Sequence, residues 1–142
     1  MAYNILIVDD SVPMRSVIKK TIQLSGFKVG GFFEASNGRE AIELLRREWM
    51  DLVLTDYNMP EMNGLELLEE MKKDEILSSI PVVMVTTEGS LGRVETFLET
   101  GATDYIKKPF TPEEIRSKLN RLMGEEDDGQ GLDDQGTEGL DF

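Results

Sequence analysis

The chain contains 142 residues, 39% of them hydrophobic and 30% charged, which suits one domain with a substantial buried core. It has no cysteine and no histidine, so a disulfide framework, a thiolate or imidazole metal site, a histidine base and a phosphohistidine are excluded. The net charge of -13 argues against a nucleic-acid partner, because such binding needs clustered Lys and Arg to displace condensed counterions.

The acidic excess is concentrated in the last part of the chain. Residues 125–142 hold eight acidic residues and no basic ones. Because this segment also has few apolar side chains, we expect a disordered acidic tail after a domain that spans residues 1–124. No apolar run approaches the roughly 20 residues of a membrane span, and no basic leader precedes the first apolar run. We therefore expect a cytoplasmic protein without a membrane partner.

Strands and helices are predicted to alternate along the chain. The apolar run at residues 5–8 indicates a buried strand that stops abruptly at two aspartates. Pro13 suits a first helical turn and Gly26 suits a C-cap, so a helix is predicted between them. Residues 29–35 indicate a weaker strand at a sheet edge, because two consecutive glycines interrupt them. The apolar stripe of the first helix comprises Met14, Val17, Ile18 and Ile22, all predicted to be core.

The middle of the chain continues the alternation. Asn37 can cap a second helix, and residues 52–54 form a short apolar run that ends before Asp56. The turn signal Asn63-Gly64 introduces a third helix. Trp49 is expected to pack at the end of the second helix. The predicted core faces are Ala41, Leu44, Leu45 and Trp49 in the second helix, and Leu65, Leu68 and Met71 in the third.

Two further strand–helix units follow. Residues 82–85 indicate a buried strand that ends in Thr86, and Tyr105 with Ile106 indicates a short last strand. Thr111 and Glu114 form a capping box for the fifth helix. Glycines at positions 89 and 92 weaken the first turn of the fourth helix by about 1 kcal/mol each relative to alanine, so we expect that helix to be mobile at its start. The predicted core faces are Leu91, Val94 and Leu98 in the fourth helix, and Ile115, Leu119, Leu122 and Met123 in the fifth.

Five β-α units with short connections require helical crossovers between parallel strands. The prediction is therefore an α/β fold, a flavodoxin-like doubly wound parallel sheet of five strands in the order 2-1-3-4-5 with five helices. In such a sheet the carboxyl ends of the strands form one edge, where ligands bind. The polar residues that follow these strand ends are Asp9, Asp10, Asp56, Thr86 and Lys108.

This edge is predicted to hold a cation. Three carboxylates in one pocket repel one another and raise their pKa values unless a cation joins them. Mg²⁺ fits best, since it prefers few carboxylates, keeps several waters and leaves a position for a phosphoryl oxygen. Lys108 can add a mobile positive charge for the same group, and Thr86 a hydroxyl donor. The pocket therefore indicates phosphate binding beside a nucleophilic carboxylate.

The same residues carry a resemblance to a known family. Residues 4–123 resemble the receiver domain of two-component response regulators. Asn58 and Glu88, near the predicted acceptor, are similar to the pair that single-domain receivers of chemotaxis carry. The other matching residues are Asp9-Asp10, Asp56 with Met59-Pro60 and Gly64, Thr86, and Tyr105 ahead of Lys108-Pro109-Phe110.

The resemblance implies a Mg²⁺-dependent phosphorylation site. Asp56 would accept a phosphoryl group from a histidine kinase or from a small donor such as acetyl phosphate. Asp10 would bind Mg²⁺ directly and Asp9 through water, while Asp56 and the backbone carbonyl of Asn58 would complete the protein ligands. Asn58 and Glu88 would flank the water that hydrolyses the acyl phosphate.

The resemblance also implies how the signal leaves the site. Lys108 would pair with the phosphoryl group, and its bond to Pro109 would be cis. Thr86 and Tyr105 would form a switch pair, in which the hydroxyl moves onto the phosphoryl oxygen and the ring turns inward. The surface formed by helix four, strand five and helix five would change as a result.

The implied function is that of a single-domain signalling phosphoprotein, not an enzyme. Its partners would be a CheA-like histidine kinase, an output protein such as the flagellar motor switch, and a phosphatase. Three alternatives stay open: a phosphorelay intermediate or phosphate sink, a phosphatase that works through an aspartyl phosphate, and a pseudo-receiver that only binds partners. Asn58 argues against the phosphatase, because such enzymes use a second aspartate there.

Overall fold

The computed structural model describes residues 2–87 and 91–125. Strands and helices alternate along the chain, as the sequence predicts. The strands are β1 (Tyr3–Val8), β2 (Val29–Ala35), β3 (Leu52–Thr55), β4 (Val82–Thr86) and β5 (Asp104–Lys107). The helices are α1 (Val12–Ser25), α2 (Gly38–Arg47), α3 (Gly64–Lys73), α4 (Leu91–Thr100) and α5 (Pro112–Leu122), with a short 3-10 turn at Leu77–Ser79 that the sequence analysis missed.

The sheet is parallel throughout, with the strand order β2-β1-β3-β4-β5. The predicted fold class and strand order are confirmed, and β2 lies at an edge as predicted. In the register, Val8 pairs with Ala35 and Thr55, and Thr86 pairs with Lys107. The residues that follow these strands therefore emerge along one edge of the sheet.

Apolar side chains are buried on both faces of the sheet, because successive residues of a strand point to opposite sides. Helices α2, α3 and α4 cover one face, and α1 and α5 cover the other. This burial explains why the central strands have continuous apolar sequences. The buried sheet residues under α2, α3 and α4 are Leu6, Val8, Ala35, Val53, Val82 and Met84. Those under α1 and α5 are Ile5, Ile7, Leu52, Leu54, Val83, Val85 and Ile106.

Side-chain and backbone caps fix the helix ends. Asn37 caps α2 and Thr111 caps α5 within a capping box, so both predicted caps are confirmed. Gly26 ends α1 in the left-handed conformation at φ 83°, which glycine adopts without strain. Asn63 caps α3 in a second capping box, where the sequence analysis recognised only a turn.

Three predicted core positions are wrong: one in α1, one in α4, and Trp49, which follows α2. Val17 is 57% exposed, because it lies at the margin of the buried stripe of α1. In α4, Phe97 is 1% exposed whereas Leu98 is 41% exposed. Val94 and Phe97 face the sheet, so packing against the sheet buries Phe97 and leaves the adjacent Leu98 at the surface. The side chain of Leu91 lies outside the described part of the chain.

Trp49 does not pack at the end of a helix, contrary to the prediction. Helix α2 ends at Arg47, so Trp49 lies in the connection to β3 and is 55% exposed. Its indole N–H donates to Asp51 Oδ1 at 3.0 Å, and the Asn4 side-chain amide donates to the Trp49 carbonyl at 3.0 Å. The indole is therefore oriented by polar contacts at the amino end of β3.

Glu125, which the sequence analysis assigned to the acidic tail, contacts the domain. Its carboxylate accepts a hydrogen bond from the Tyr3 hydroxyl, and its N–H donates to the Asn120 carbonyl at 2.8 Å. The rest of the predicted tail lies outside the described residues. None of the helices in the described ranges has the length and apolar content that crossing a membrane requires.

Candidate metal and phosphoryl site

Three aspartate carboxylates meet at the carboxyl edge of the sheet. Asp9 and Asp10 follow β1, and Asp56 follows the neighbouring strand β3. One oxygen of each carboxylate lies within 4.8 Å of the other two. The structure therefore brings together the three aspartates that the sequence analysis placed at this edge.

Asp9 is the buried member of the cluster, with 2% of its surface exposed. Its Oδ1 accepts a hydrogen bond from the Ser11 N–H at 2.9 Å. Its Oδ2 is also buried and accepts no hydrogen bond from the described residues. The Lys108 ammonium lies 3.7 Å from Oδ2, beyond hydrogen-bond distance. Because a buried charge without close partners is costly, this oxygen favours an added cation.

Asp56 lies at the end of β3 with its carboxylate half-buried. Its N–H donates to the Val8 carbonyl at 2.9 Å, and the Tyr57 N–H donates to Asp56 Oδ1 at 2.8 Å. Burial raises the pKa of Asp56 above its ordinary value. Lys108 and the Tyr57 N–H lower this pKa, and the charges of the two neighbouring aspartates raise it. A cation in the pocket would favour the ionised, nucleophilic form of this carboxylate.

Lys108 spans two of the aspartates. Its Nζ lies 3.7 Å from Asp9 Oδ2 and 3.8 Å from Asp56 Oδ1. Its N–H donates to the Thr86 carbonyl at 2.7 Å, so the end of β4 fixes its backbone. The Lys108-Pro109 bond is cis, as the family resemblance implies.

Thr86 is the last residue of β4 and is 5% exposed. Its Oγ1 donates to the Thr87 carbonyl at 3.3 Å. Tyr105 is half-buried in β5, where it pairs with Met84 in the sheet register and packs against the apolar cluster under α4. The Lys118 Nζ lies 5.0 Å from the centre of the Tyr105 ring. The two predicted switch residues thus occupy neighbouring strands.

Asn58 lies in the loop that joins β3 to α3, where its side chain is exposed. A backbone contact with the start of α2 holds this loop, because the Gly38 N–H donates to the Met62 carbonyl at 2.9 Å. A Cβ on Gly38 would lie 2.6 Å from Met62 Cγ, so the contact needs glycine. Glu88 lies outside the described residues, and its predicted place near Asp56 stays a prediction.

Gly64 allows α3 to approach the acidic pocket closely. A Cβ at this position would lie 2.3 Å from the Asp56 carbonyl oxygen and 3.0 Å from Phe97 Cζ. The Gly64 N–H donates to the Tyr57 carbonyl at 2.9 Å. The close approach therefore explains the glycine, which the sequence analysis recognised as part of a turn and of the family pattern.

An apolar cavity adjoins the pocket on the side of α1. It has a volume of about 270 Å³, and the exposed Val17 lines part of its wall. The same cavity reaches Lys108, so the site has an apolar wall beside its cation. The lining residues are Met14, Val17, Ile18, Thr21, Thr87, Lys108, Pro109 and Phe110.

Arg15 is a supporting residue that the sequence analysis missed. Its Nη1 donates to the Asp9 carbonyl at 2.5 Å, and its Nε donates to Glu34 Oε1 at 2.8 Å. Arg15 therefore joins the backbone of the acidic pocket to β2. No sequence pattern could identify this role, because one of its partners is a main-chain carbonyl.

The ligand set fits a small, hard cation. Three carboxylates converge, and one of them has a buried oxygen without a hydrogen bond from the described residues. Oxygen ligands suit Mg²⁺ or Ca²⁺, and a small number of protein ligands favours Mg²⁺. The fold and the site together define a doubly wound α/β protein with an acidic pocket at the carboxyl edge of its sheet.

Comparison of the chain with known protein families identifies the family to which it belongs. The family model of the response regulator receiver domain matches residues 5–120. The chain belongs to this family of signalling domains, as the sequence resemblance indicates.

Individual members of the family show which of its proteins the chain resembles. The chain is 43% identical over 122 residues to a chemotaxis protein CheY homolog of Campylobacter jejuni. The aligned region covers 85% of this chain and 92% of the relative. The structure of the chemotaxis response regulator CheY4 of Vibrio cholerae superposes with a TM-score of 0.75 at 31% identity, over 86% of this chain and 99% of that one. The chain is therefore similar to CheY chemotaxis proteins.

A further structure shows a metal in a site of this family. The receiver domain of the sensor histidine kinase PA1611 from Pseudomonas aeruginosa has a magnesium ion coordinated in its active-site cleft. It superposes with a TM-score of 0.76 at 26% identity, over 87% of this chain and 99% of that one.

Proposed function

We propose that this chain is a chemotaxis response regulator that accepts a phosphoryl group on Asp56 from a histidine kinase. The reaction depends on Mg²⁺, and the phosphorylated protein signals by binding another protein. The observation that carries the proposal is the convergence of Asp9, Asp10 and Asp56 on one another, with the Lys108 ammonium beside them. The CheY relatives support the assignment to chemotaxis.

Mg²⁺ would be held by Asp10 and Asp56 directly, by Asp9 through water and by the backbone carbonyl of Asn58. When bound, it would polarise the transferring phosphoryl group and offset the charge of the aspartates. The buried Oδ2 of Asp9, which accepts no hydrogen bond from residues 2–87 or 91–125, supports this site, since it favours an added positive charge. The magnesium ion in the receiver domain of PA1611 supports it independently.

Asp56 is the nucleophile of the proposed reaction. A carboxylate oxygen attacks the phosphorus of the phosphohistidine, a new O–P bond forms as the P–N bond breaks, and the leaving imidazole takes up a proton. Lys108, whose Nζ lies 3.8 Å from Asp56 Oδ1, binds an oxygen of the transferred group. Asn58 and Glu88 then tune the hydrolysis of the acyl phosphate by flanking the attacking water.

The signal passes from the pocket to the surface formed by α4, β5 and α5. The Thr86 hydroxyl, which donates to the Thr87 carbonyl, moves onto a phosphoryl oxygen. The Tyr105 ring turns inward into the space that is vacated. Tyr105 also lines a shallow groove of about 580 Å³ between β5 and α5, together with Lys107 and Lys118. We assign this groove to the output partner.

The proposed partners are those that the resemblance to chemotaxis receivers implies. A CheA-like histidine kinase supplies the phosphoryl group, the flagellar motor switch receives the signal, and a phosphatase ends it. We place the protein in the cytoplasm with these partners.

Intact mass after incubation with Mg²⁺ and acetyl phosphate tests the proposal. The wild type should gain one phosphoryl group, and this adduct should be lost in Asp56→Asn and when EDTA replaces Mg²⁺. The Asp51→Asn variant removes a carboxylate at the opposite edge of the sheet and is the matched control. If the folded wild type gains no adduct from acetyl phosphate or from a phosphorylated kinase domain, the chain is a pseudo-receiver and the proposal is wrong.

A further inference from the structure

Two residues of α4 enclose the aromatic ring that follows the proposed phosphoryl acceptor. The Arg93 guanidinium carbon lies 4.5 Å from the centre of the Tyr57 ring. The Phe97 ring meets the same ring edge-on, with 5.9 Å between centres and an interplanar angle of 63°. Arg93 and Phe97 are one helical turn apart, so they share a face of α4. This face therefore holds the Tyr57 side chain.

The backbone of Tyr57 in turn holds the acceptor carboxylate. The Tyr57 N–H donates to Asp56 Oδ1 at 2.8 Å, and the Tyr57 carbonyl accepts from the Gly64 N–H at 2.9 Å. Gly64 has no room for a side chain because the Asp56 carbonyl lies against it. A displacement of α4 therefore reaches the Asp56 carboxylate through one intervening residue.

We propose that Arg93 is a positioning residue whose cation–π contact with Tyr57 orients Asp56 for phosphoryl transfer. This inference rests on the proposed function, because it concerns the rate of phosphorylation at the same site. A partner that draws Arg93 away from Tyr57 should slow phosphorylation of Asp56, because it removes the contact that orients the acceptor carboxylate.

A second role of Arg93 would give a different kinetic result. Arg93 is exposed, and its charge could simply attract an anionic phosphodonor. In that case its removal would raise the half-saturating donor concentration and leave the maximal rate unchanged. Loss of positioning instead lowers the maximal rate, because the donor still binds but meets a misoriented carboxylate.

The test measures phosphorylation rates of the full chain by intact mass, with saturating Mg²⁺ and varied acetyl phosphate. Arg93→Ala and Tyr57→Leu should each lower the maximal rate by about two- to fivefold, the factor that an exposed cation–π contact can supply. The double variant should be no slower than either single variant. Arg93→Lys and Tyr57→Phe keep a cation and a ring, so both should retain most of the rate. Arg47→Ala, which removes an exposed arginine from α2, is the control for net charge.

Other results would overturn the positioning role. If Arg93→Ala raised the half-saturating acetyl phosphate concentration and left the maximal rate unchanged, Arg93 would attract the donor and not position Asp56. If the rate losses of Arg93→Ala and Tyr57→Leu added fully in the double variant, the two side chains would act independently. If the wild type itself accepts no phosphoryl group, the proposed function fails. Hydrogen exchange then tests whether the contact between Arg93 and Tyr57 stabilises the loop after β3. Faster exchange of the Gly64 amide in Arg93→Ala than in Arg47→Ala would support the coupling, and equal exchange would refute it. Circular dichroism of every variant checks folding.

Discussion

Asp9, Asp10 and Asp56 carry the same functional group in three different environments. Asp10 is exposed, Asp56 is half-buried, and Asp9 is buried with one oxygen that accepts no hydrogen bond from the described residues. The three charges oppose one another at separations within 4.8 Å. At the scale of single residues, the pocket therefore holds unfavourable electrostatic energy that a bound cation would relieve.

Replacing Asp56 by Asn should raise the melting temperature in EDTA, because it removes one of the three mutually repelling charges. Added Mg²⁺ should stabilise the wild type, by about 2.7 kcal/mol at 100 times its dissociation constant, and should stabilise Asp56→Asn much less. Thermal denaturation with EDTA and with MgCl₂ measures both effects. A variant that melts below the wild type in EDTA, and gains as much from Mg²⁺, would show that the repulsion is unimportant.

Replacing Gly64 by Ala should lower stability by about 1–3 kcal/mol, the usual cost of overpacking, since the new Cβ would lie 2.3 Å from the Asp56 carbonyl oxygen. It should also slow phosphorylation, because that carbonyl belongs to the proposed nucleophile. Urea denaturation and intact mass measure the two effects. Gly92→Ala is the matched control, because a Cβ there meets no atom of the described residues within 4 Å, so stability should be kept or increased. Equal stabilities of the two variants would contradict the steric argument.

At the scale of the elements, the sequence predicted most of the fold because several elements have local signals. Apolar runs identified the central strands, and Asn37, Gly26 and Thr111 marked helix ends. The predicted faces of the helices were less accurate. Leu98 and Phe97 are adjacent apolar residues, and only packing against the sheet decides that Phe97 is the buried one. Trp49 was placed on a helix that ends two residues earlier, because its polar contacts with Asp51 and Asn4 depend on the tertiary fold.

A pair of cations on α1 ties this helix to the edge strand β2. Glu34 Oε1 lies 2.8 Å from Arg15 Nε, and its Oε2 lies 3.6 Å from Lys19 Nζ. The pKa of Glu34 lies below its ordinary value of 4.5. The hydrogen bond from Arg15 is the main cause; burial acts in the opposite direction, and the Lys19 charge lowers the pKa further. The contact therefore contributes to stability while Glu34 is ionised.

Replacing Glu34 by Gln should reduce stability at pH 7 by less than about 1 kcal/mol, because the ion pair is partly exposed. A lowered pKa in the folded state means that the contribution is complete above pH 4.5 and is lost as the pH falls through the lowered pKa. Wild type and variant should therefore become equally stable at strongly acidic pH. Urea denaturation across the acid range measures this difference, with exposed Glu43→Gln on α2 as control. A difference that persists unchanged in acid would contradict the ion-pair explanation.

At the scale of the whole molecule, the sequence predicted the candidate pocket because its residues follow strand ends. Parallel strands bring such residues to one edge whatever the details of packing, so Asp9, Asp56 and Lys108 could be placed together. The contact between Tyr57 and Arg93 could not be predicted. These two residues lie far apart in the chain, and only the packing of α4 over the loop after β3 brings them together.

A chain that ends after Glu125 should keep the stability and the phosphorylation rate of the full chain. The family match ends at residue 120, and the contacts of Glu125 with Tyr3 and Asn120 are retained. The truncation removes seven acidic residues, which changes the net charge from -13 to -6. Mg²⁺ should therefore bind somewhat more weakly at low ionic strength, with the difference lost near 0.15 M salt. Calorimetric titration of Mg²⁺ at low salt and at about 0.15 M salt measures the difference in affinity. A truncated chain that is much less stable than the full chain would show that part of residues 126–142 belongs to the folded domain.

The packing of α5 against α1 has a consequence for the synthesis of the protein. Ile18 and Ile22 of the first helix share an apolar cluster with Ile115 and Leu119 of the last. A nascent chain therefore exposes part of its first helix to chaperones and proteases until residues 112–122 have left the ribosome. A chain that stops after Lys108 contains every residue of the proposed pocket, but its first helix lacks the cover of the last, so this chain should be cleaved by proteases faster than the full chain. Burial of the first helix by the last thus couples survival of the chain to completion of the fold.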